Sequence, residues 1–169
     1  MPERSEHPEL SPAEAAMRAF AERCQLTFPP IQPRLRMHCE RLEIWDALRG
    51  CYLVLTPEEW VRQHLIAWLV SHCGAQPLRI VQEYPVPLNG QPQRADVVVV
   101  DDAGAPLLLA ECKAPEVPVD RSVLDQAVRY NSVLGARYIV LTNGLKHFCW
   151  EQCDGDFRSL THFPDLACR

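Results

Sequence analysis

Two uninterrupted apolar runs constrain the fold of this chain more than any other feature of its sequence. The first is Val97-Val98-Val99-Val100 and the second is Leu107-Leu108-Leu109-Ala110. A strand with one face in water alternates apolar and polar side chains, whereas a strand buried on both faces is apolar throughout. We therefore expect both runs to be strands of a sheet that helices cover on either side.

Cap residues, turn residues and apolar spacing predict the elements around these two strands. Helices are expected over about 12–24, 56–73 and 121–134. Strands are expected at about 78–84, 93–101, 106–113, 137–142 and 146–152, and residues 34–55 should form a β-hairpin. Arg49-Gly50 and Asn143-Gly144 are the expected hairpin turns. The predicted fold class is α/β, a mixed central sheet flanked by helices, with parallel pairing between the strands that the helix at 121–134 joins.

Length and charge limit the class of protein. The 169 residues suffice for one domain, which we expect at residues 26–169, after a disordered start and a helical arm over residues 1–25. No apolar run reaches the roughly 18 residues that cross a bilayer, and Met1-Pro2-Glu3-Arg4 is too polar for a signal peptide. We therefore expect a cytoplasmic protein without a membrane partner. The net charge of −5 argues against nucleic-acid binding through bulk electrostatics alone.

Charged residues close the two apolar strands, where an unpaired buried carboxylate would be costly. If the turn at Asp102-Ala103-Gly104-Ala105 is symmetric, Asp96 of the first strand faces Glu111 of the second, with their Cβ atoms roughly 5 Å apart. A loop of odd length would place the two carboxylates on opposite faces of the sheet. Carboxylates so close repel each other unless a cation or a proton lies between them, and Mg²⁺ prefers such oxygen ligands.

The same charges also have a purely structural interpretation. Asp96, Arg94, Glu111 and Lys113 would form a lattice of ion pairs at the end of the sheet. Spacing by itself does not decide between this lattice and a metal site, because a D…E-x-K pattern is short and arises often by chance.

On a larger scale the pattern resembles a known superfamily. Asp96 followed by Glu111-x-Lys113, with one helix before and one after, resembles the PD-(D/E)XK nucleases. Six stretches in order resemble more specifically the N-terminal nuclease domain of type I restriction enzyme R (HsdR) subunits, in a small stand-alone form. These stretches lie at residues 55–64, 87–90, 94–96, 107–115, 125–131 and 141–144, and the resemblance covers about residues 26–163.

The resemblance implies a restriction-endonuclease-like core that hydrolyses phosphodiester bonds of DNA with Mg²⁺ or Mn²⁺. Asp96 and Glu111 would be the metal-binding carboxylates, and the main-chain carbonyl of Cys112 would be a third ligand. Lys113 would orient the attacking water, help to activate it and stabilise charge in the transition state.

The superfamily also implies functional residues on the helices that flank the sheet. Gln126 and Tyr130 match its Q-x-x-x-Y motif, and their i, i+4 spacing puts both on one helix face. Glu59 best matches its helix glutamate, with Glu58 as the alternative. Glu59 is also the third residue of a capping box that begins at Thr56, and a helix cap needs no metal.

The nature of the partners follows from the same resemblance. DNA is the expected partner, and Arg94 and Arg121 would add positive charge for it. The chain lacks a G-x-x-x-x-G-K-[ST] motif, so a partner protein would have to supply targeting.

Two other functions stay open at this point. One is a nuclease-fold module that binds nucleic acid or protein with little turnover. The other is a zinc or thiol protein with a site at Cys149, Cys153 and His147, although the eight cysteines mainly indicate reduced, buried thiols.

Overall fold

The computed structural model of the chain describes residues 11–88 and 91–167, so the predicted disordered start over residues 1–10 lies outside the described residues. Within these ranges lie the helices α1 (Pro12–Arg23), α2 (Pro57–His72) and α3 (Arg121–Leu134) and a short 3-10 helix, Pro77–Arg79. The strands are β1 (Leu35–His38), β2 (Arg41–Asp46), β3 (Cys51–Val54), β4 (Ile80–Leu88), β5 (Gln91–Val100), β6 (Pro106–Cys112), β7 (Tyr138–Thr142), β8 (His147–Cys153) and β9 (Asp156–Leu160). None of the helices in this part of the chain has the length and apolar character of a membrane span.

Strands β4 to β9 form one mixed sheet in sequential order. Strands β6 and β7 pair in parallel, and α3 joins them, while all other neighbours in this sheet are antiparallel. The predicted fold class and the parallel crossover are therefore confirmed. A second, antiparallel sheet contains β1, β2 and β3, of which the sequence predicts only the hairpin. Strands β1 and β9 expose most of their side chains, so no apolar pattern marks them as strands.

Helices α2 and α3 cover opposite faces of the large sheet, as the apolar runs predict. On one face Val97 and Val99 pack in a cluster with Leu65 of α2. On the other face Val98 packs in a cluster with Tyr130 of α3. Consecutive valines of β5 therefore contact different helices, which explains why this part of the strand has no polar position.

Helix α1 lies against the small sheet and against α2. Phe20 meets the ring of Trp60 edge to face, with ring centroids 6.0 Å apart. The indole N–H of Trp60 donates to the carbonyl of Cys24 at 3.2 Å, and Phe20 and Cys24 are buried in the same apolar cluster as Ile44 of β2. Packing of apolar surface thus fixes α1, while the division of the chain at residue 25 stays a prediction.

The hairpin of β5 and β6 reaches the predicted strand alignment by an unexpected route. At its turn Val100 pairs with Pro106, which corresponds to a loop of odd length. The register then shifts at a β-bulge next to Val100, so that Val97 pairs with Ala110. The ladder ends at this pair, and the two carboxylates, Asp96 and Glu111, are the next residue on each strand. The predicted pairing is confirmed for Val97, Val98 and Val99, but the predicted pair of Asp96 and Glu111 is not part of the ladder, and the symmetric turn from which we derive the alignment is wrong.

Two glycines allow a test of how closely the turn between β7 and β8 is packed. Gly104 and Gly144 share a left-handed φ of 80°. A Cβ on Gly104 would meet nothing within 4 Å, whereas one on Gly144 would lie 2.5 Å from Cδ2 of Leu26. We expect Gly104→Ala to lose about 1 kcal/mol of unfolding free energy, from backbone strain, and Gly144→Ala to lose at least about 1 kcal/mol more, from overpacking. Equal losses in urea denaturation would show that Leu26 does not restrain this turn.

Candidate active site

The candidate site lies at the ends of β5 and β6, where an aspartate interrupts the regular strand. Ala95 and Val98 pack in the same apolar cluster although they are three residues apart, so the alternation of β5 breaks between them. Asp96 lies at this break, and its Oδ2 accepts the backbone N–H of Cys112 at 2.7 Å. The side chain thus takes the acceptor position of a strand carbonyl, and its other oxygen is directed toward α2.

Arg62 of α2 provides the buried positive charge of the site. Its side chain is 7% exposed, and Nη2 donates to Oδ1 of Asp96 at 3.0 Å. Nη1 donates to Glu59 at 2.9 Å and to Glu83 of β4 at 3.2 Å. Burial lowers the pKa of Arg62, but Asp96 and Glu59 together outweigh this effect, so the pKa is raised overall. The guanidinium is therefore permanently charged and joins three structural elements.

Glu59 is bound by side chains of its own helix rather than by the helix cap. Thr56 accepts the N–H of Glu59 at 3.1 Å, as a cap residue does. The Glu59 carboxylate does not return to the backbone of Thr56, as a capping box requires, but accepts from Arg62 and from Nε2 of Gln63, both at 2.9 Å. Burial raises the pKa of Glu59, although Gln63 and Arg62 oppose this shift.

Glu58 has different surroundings from its neighbour. Its side chain is 43% exposed, and its carboxylate lies 3.6 Å from Nη2 of Arg62. Burial and the charge of Asp96 raise the pKa of Glu58, whereas Lys113 lowers it. Glu58 is therefore the α2 carboxylate whose charge reaches Asp96 and Lys113.

Glu111 closes β6 and is almost completely buried, with 2% of the residue exposed. Its Oε2 accepts from Nε2 of Gln126 at 3.3 Å, while its buried Oε1 has no hydrogen-bond partner among the described residues. Burial, and next the charge of Asp96, raise the pKa of Glu111 to about 8, although Lys113 lowers it. Such a carboxylate is unfavourable unless a proton or a cation joins it.

Gln126 and Tyr130 form a hydrogen-bonded chain on the face of α3 that meets the sheet. Nε2 of Gln126 also donates to the Tyr130 hydroxyl at 3.1 Å, and this hydroxyl donates to Oε1 of Gln93 of β5 at 3.1 Å. The i, i+4 spacing therefore does place both side chains toward one site. Tyr130 fixes Gln126, and Gln126 in turn fixes Glu111.

Two further residues of the site, Arg62 and Gln93, are not among the residues predicted from the sequence. A local signal existed for Arg62, because it follows Glu59 at i, i+3 spacing on one helix face. Gln93 has no local signal, since its partner Tyr130 is 37 positions away in the sequence.

Two residues at this end of β6 contribute in different ways: Cys112 offers its backbone groups, and Lys113, the next residue, offers a positive charge. The side chain of Cys112 is fully buried, and burial raises the pKa of its thiol, so only its backbone can serve the site. The N–H of Lys113 donates to the carbonyl of Thr142 at 2.9 Å, which ties the residue to β7. The charge of Lys113 lowers the pKa of both Glu111 and Glu58, so its ammonium lies within electrostatic reach of the two carboxylates.

The two predicted DNA-binding arginines differ in their relation to this group: Arg94 shares the carboxylate of Glu83 with Arg62, whereas Arg121 forms no ion pair with the described residues. Arg94 is 69% exposed and pairs with Glu83 at 3.0 Å. Arg121 is exposed at the start of α3 and lines a shallow pocket with Phe148 and Trp150. Because Asp96 pairs with Arg62 and Arg94 pairs with Glu83, the structure does not contain the predicted ion-pair lattice.

The residues of the alternative zinc site do not converge. The ring nitrogens of His147 lie 2.7 Å and 2.8 Å from the hydroxyl oxygens of Thr27 and Thr142. Cys149 is buried and Cys153 is exposed. In residues 11–88 and 91–167 no three His, Cys, Asp or Glu side chains are grouped as a metal-binding cluster.

The donors at the ends of β5 and β6 nevertheless fit an oxygen-preferring divalent cation. Two carboxylates next to the end of the β5–β6 ladder, Asp96 and Glu111, supply the charge, and the buried Oε1 of Glu111, which has no partner among the described residues, has capacity for one more bond. Main-chain oxygen, such as the carbonyl of Cys112, and water commonly complete such sites. Without a cation, Arg62 neutralises Asp96.

The buried position of Arg62 predicts a large effect on stability. We expect Arg62→Met to lower the unfolding free energy of the metal-free protein by about 3–5 kcal/mol, because Asp96 and Glu59 lose their buried counter-charge. Arg94→Met is the matched control, since Arg94 is exposed and pairs with Glu83 alone, and should cost less than about 1 kcal/mol. Urea denaturation in EDTA measures both, and losses of similar size would contradict this role of Arg62.

The raised pKa of Glu111 predicts a pH dependence of the metal-free protein. The group titrates at about 8 in the folded chain, against an ordinary value of 4.5. Its protonated form therefore favours the folded state below pH 4.5, and this contribution is lost as the pH rises through about 8. We expect the native chain to lose more stability across this window than Glu111→Gln, measured by urea denaturation in EDTA at both ends. Identical pH profiles would contradict the raised pKa.

Comparisons with known proteins agree with this architecture. A family model described as type I restriction enzyme R protein N terminus (HSDR_N) matches residues 57–164, which is more than half of the chain. A solved fragment described as an HsdR subunit of a type I restriction enzyme from Vibrio vulnificus YJ016 is similar in fold, with a TM-score of 0.50 and 24% identity. That match covers 65% of this chain and 24% of the other. No curated protein sequence matches significantly. The chain thus belongs to the family of type I restriction enzyme R protein N termini.

Proposed function

We propose that the chain is a divalent-metal-dependent nuclease that hydrolyses phosphodiester bonds of DNA. The observation that carries this proposal is the position of Glu111, which is buried within reach of the charge of Asp96 and has an oxygen without a partner among the described residues. Glu111 lies beside Lys113, a cation that hydrolysis of a phosphodiester can use. Membership in a family of restriction enzyme subunits supports this chemistry.

Asp96, Glu111 and the carbonyl of Cys112 would hold Mg²⁺ or Mn²⁺. The bound ion would supply Lewis-acid chemistry to the phosphodiester. Oδ2 of Asp96 is kept in place by the N–H of Cys112 at 2.7 Å, so one ligand would position the backbone of another.

The other residues would act on water and on charge. Lys113 would orient the attacking water and stabilise the negative charge that develops on the phosphate. Gln126 would hold Oε2 of Glu111 so that Oε1 faces the reacting group, and Tyr130 would keep Gln126 in place. The hydrogen bonds of Gln126 and Tyr130 are already formed in the free protein, so the reaction would not have to supply the free energy of arranging these side chains.

We assign the helix carboxylate of this chemistry to Glu58 rather than to Glu59. The charge of Glu58 reaches Asp96 and Lys113, and the side chain is half-exposed. Glu59 is engaged by Arg62 and Gln63, so it would position Arg62.

A second candidate function has one observation in its favour. Arg62 already neutralises Asp96 with a permanent charge, and such a pair also suits a nuclease fold that binds nucleic acid or protein with little turnover. In this case Asp96 would not exchange its arginine for a metal ion.

The partners and the location are proposed on the same basis. DNA would be the substrate, and a further protein or protein region would supply targeting, because the chain spans 24% of the similar HsdR fragment and has no P-loop motif. The cytoplasm remains the predicted location.

The proposal predicts a loss of cleavage that depends on only one of the two lysines. We expect Asp96→Asn and Lys113→Ala each to reduce Mg²⁺-dependent cleavage of DNA at least about 100-fold, because a metal ligand or the water-orienting cation is lost. Lys146→Ala is the matched control, since Lys146 is exposed on the turn before β8, and should cleave like the native chain. Native cleavage by either site variant would reject this site.

Calorimetry with Mn²⁺ separates binding from turnover. Asp96→Asn should lose binding and Lys113→Ala should keep it, because Asp96 is a proposed ligand and Lys113 is not. Glu58→Gln should weaken binding more than Glu59→Gln. A native chain that binds no metal and cleaves no DNA would leave the binding module as the function.

A further inference from the structure

The outer face of the small sheet carries a cluster of arginines and aromatic rings. The guanidinium of Arg36 lies 3.9 Å from the ring centroid of Tyr52. The guanidinium of Arg34 lies 5.1 Å from the ring of Trp45 and 5.7 Å from that of Tyr52. The inner face of the same sheet packs its apolar side chains with α1, so this cluster faces away from the core. We refer to Arg34, Arg36, Trp45 and Tyr52 as the cation–aromatic face.

This face is positive although the whole chain is acidic. Arg34 and Arg36 are exposed, and Trp45 and Tyr52 are half-buried. Among the described residues, the ion pairs on this face join one carboxylate, that of Glu43, to Arg36 and to His38. Arg34 is therefore left with aromatic neighbours rather than an acidic one, and its charge is available to an anionic ligand.

A groove connects this face with α2. It has a volume of about 570 Å³ and is lined by Arg34 and Trp45 and also by Gln63, Ile66 and Val70 of α2. Apolar walls with a cation at the entrance suit a flat, apolar ring that carries a negatively charged neighbour. Gln63 donates to Glu59 at 2.9 Å, so the groove ends beside the carboxylates of the candidate site.

The turn between β2 and β3 contains a further cationic residue, Arg49, and Asp46 fixes this turn near the groove. Asp46 is 1% exposed, and its Oδ1 accepts the N–H groups of Leu48 and Arg49 at 2.9 Å and 3.0 Å. Its Oδ2 accepts from Gln63 at 3.2 Å and from Gln82 at 2.6 Å, which ties the turn to α2 and to β4.

Arg49 lies on this anchored turn, and its anchor Asp46 shares the amide of Gln63 with Glu59 of the site. Arg49 is exposed and forms no ion pair with the described residues. Its charge lowers the pKa of both Glu59 and Glu83, which are the two carboxylates that share Nη1 of Arg62. A rigid turn thus presents an unpaired guanidinium at the edge of the carboxylate cluster.

We propose that the cation–aromatic face and its groove bind a single nucleic-acid strand, and that Arg49 holds a backbone phosphate of this strand next to the carboxylate site. The strand is the substrate in the sense of the proposed function, and its binding to this face does not require a metal ion. Trp45 and the Arg36 plane that covers Tyr52 stack on unpaired bases, and Arg34 and Arg49 contact phosphates.

The chemistry of the face favours a single strand over two other occupants. A duplex hides its bases and offers only phosphates to an arginine, so the aromatic rings would be unused. An acidic peptide offers carboxylates to the arginines but no flat rings for the groove.

The test measures binding in EDTA, where cleavage does not occur. The full chain is titrated into a fluorescein-labelled oligothymidylate of about 16 nucleotides, and fluorescence anisotropy gives the Kd. We expect Trp45→Leu to raise the Kd about ten-fold or more, from lost stacking. Arg49→Gln should raise the Kd several-fold and reduce the salt dependence of binding by about one phosphate contact. Arg158→Gln is the matched control, because it is an exposed arginine on the distant strand β9, and its Kd should be native.

Folding and the proposed enzyme activity are controlled separately. Urea denaturation shows whether the Trp45 variant folds. If it does not fold, Arg34→Gln and Arg49→Gln, both at exposed positions, are used to test the face instead. If the native chain binds the strand through Trp45 and Arg49 but does not cleave, the nuclease proposal fails and this one stands.

Three outcomes would overturn the inference. One is a native Kd in the Trp45, Arg34 and Arg49 variants. The second is tighter binding of a duplex of the same length, and the third is tighter binding of polyglutamate, which would assign the face to a protein partner.

Discussion

The contacts of one buried guanidinium organise the candidate site. Carboxylates at the end of a covered sheet cost several kcal/mol each unless a counter-charge accompanies them. Arg62 supplies this charge to Asp96 of β5, to Glu59 of its own helix and to Glu83 of β4. These contacts fix α2 to the sheet, and they leave the second oxygen of Asp96 to hold the N–H of Cys112. The geometry of the site therefore exists before any cation binds.

The α3 side of the site is built differently, because Glu111 accepts a hydrogen bond from a neutral amide and forms no ion pair with the described residues, although the charge of Lys113 reaches it. Glu111 accepts from Gln126, and Gln126 is held by Tyr130. Amide and hydroxyl groups cannot neutralise a buried carboxylate, so the pKa of Glu111 is raised by burial and by Asp96. One carboxylate is thus neutralised permanently by arginine, while the other requires a proton or a cation. This asymmetry explains why Glu111, rather than Asp96, carries the proposed function.

Much of the fold could be predicted because its signals are local. Apolar runs identified β5 and β6, and cap residues placed the start of α1 and α2 within one residue. The strand alignment was also predicted, although a bulge and not a symmetric turn produces it. Strands β1 and β9 could not be predicted in this way, since most of their side chains are exposed. Of the site, the motif residues could be predicted, but Arg62 and Gln93 could not be assigned partners 34 and 37 positions away.

The sequence by itself determined a sheet covered on both faces, the two helices that cover it and the carboxylates and lysine that close its strands. These properties depend on the order of apolar and polar residues along single elements. Only the tertiary structure decided which charges meet: Asp96 pairs with Arg62 rather than with Arg94. It also decided that Asp46 would anchor the small sheet to α2 and β4, and so bring Arg49 to the site. The physical reason is that a local pattern specifies which face of an element is buried, whereas ion pairing depends on how distant elements pack together.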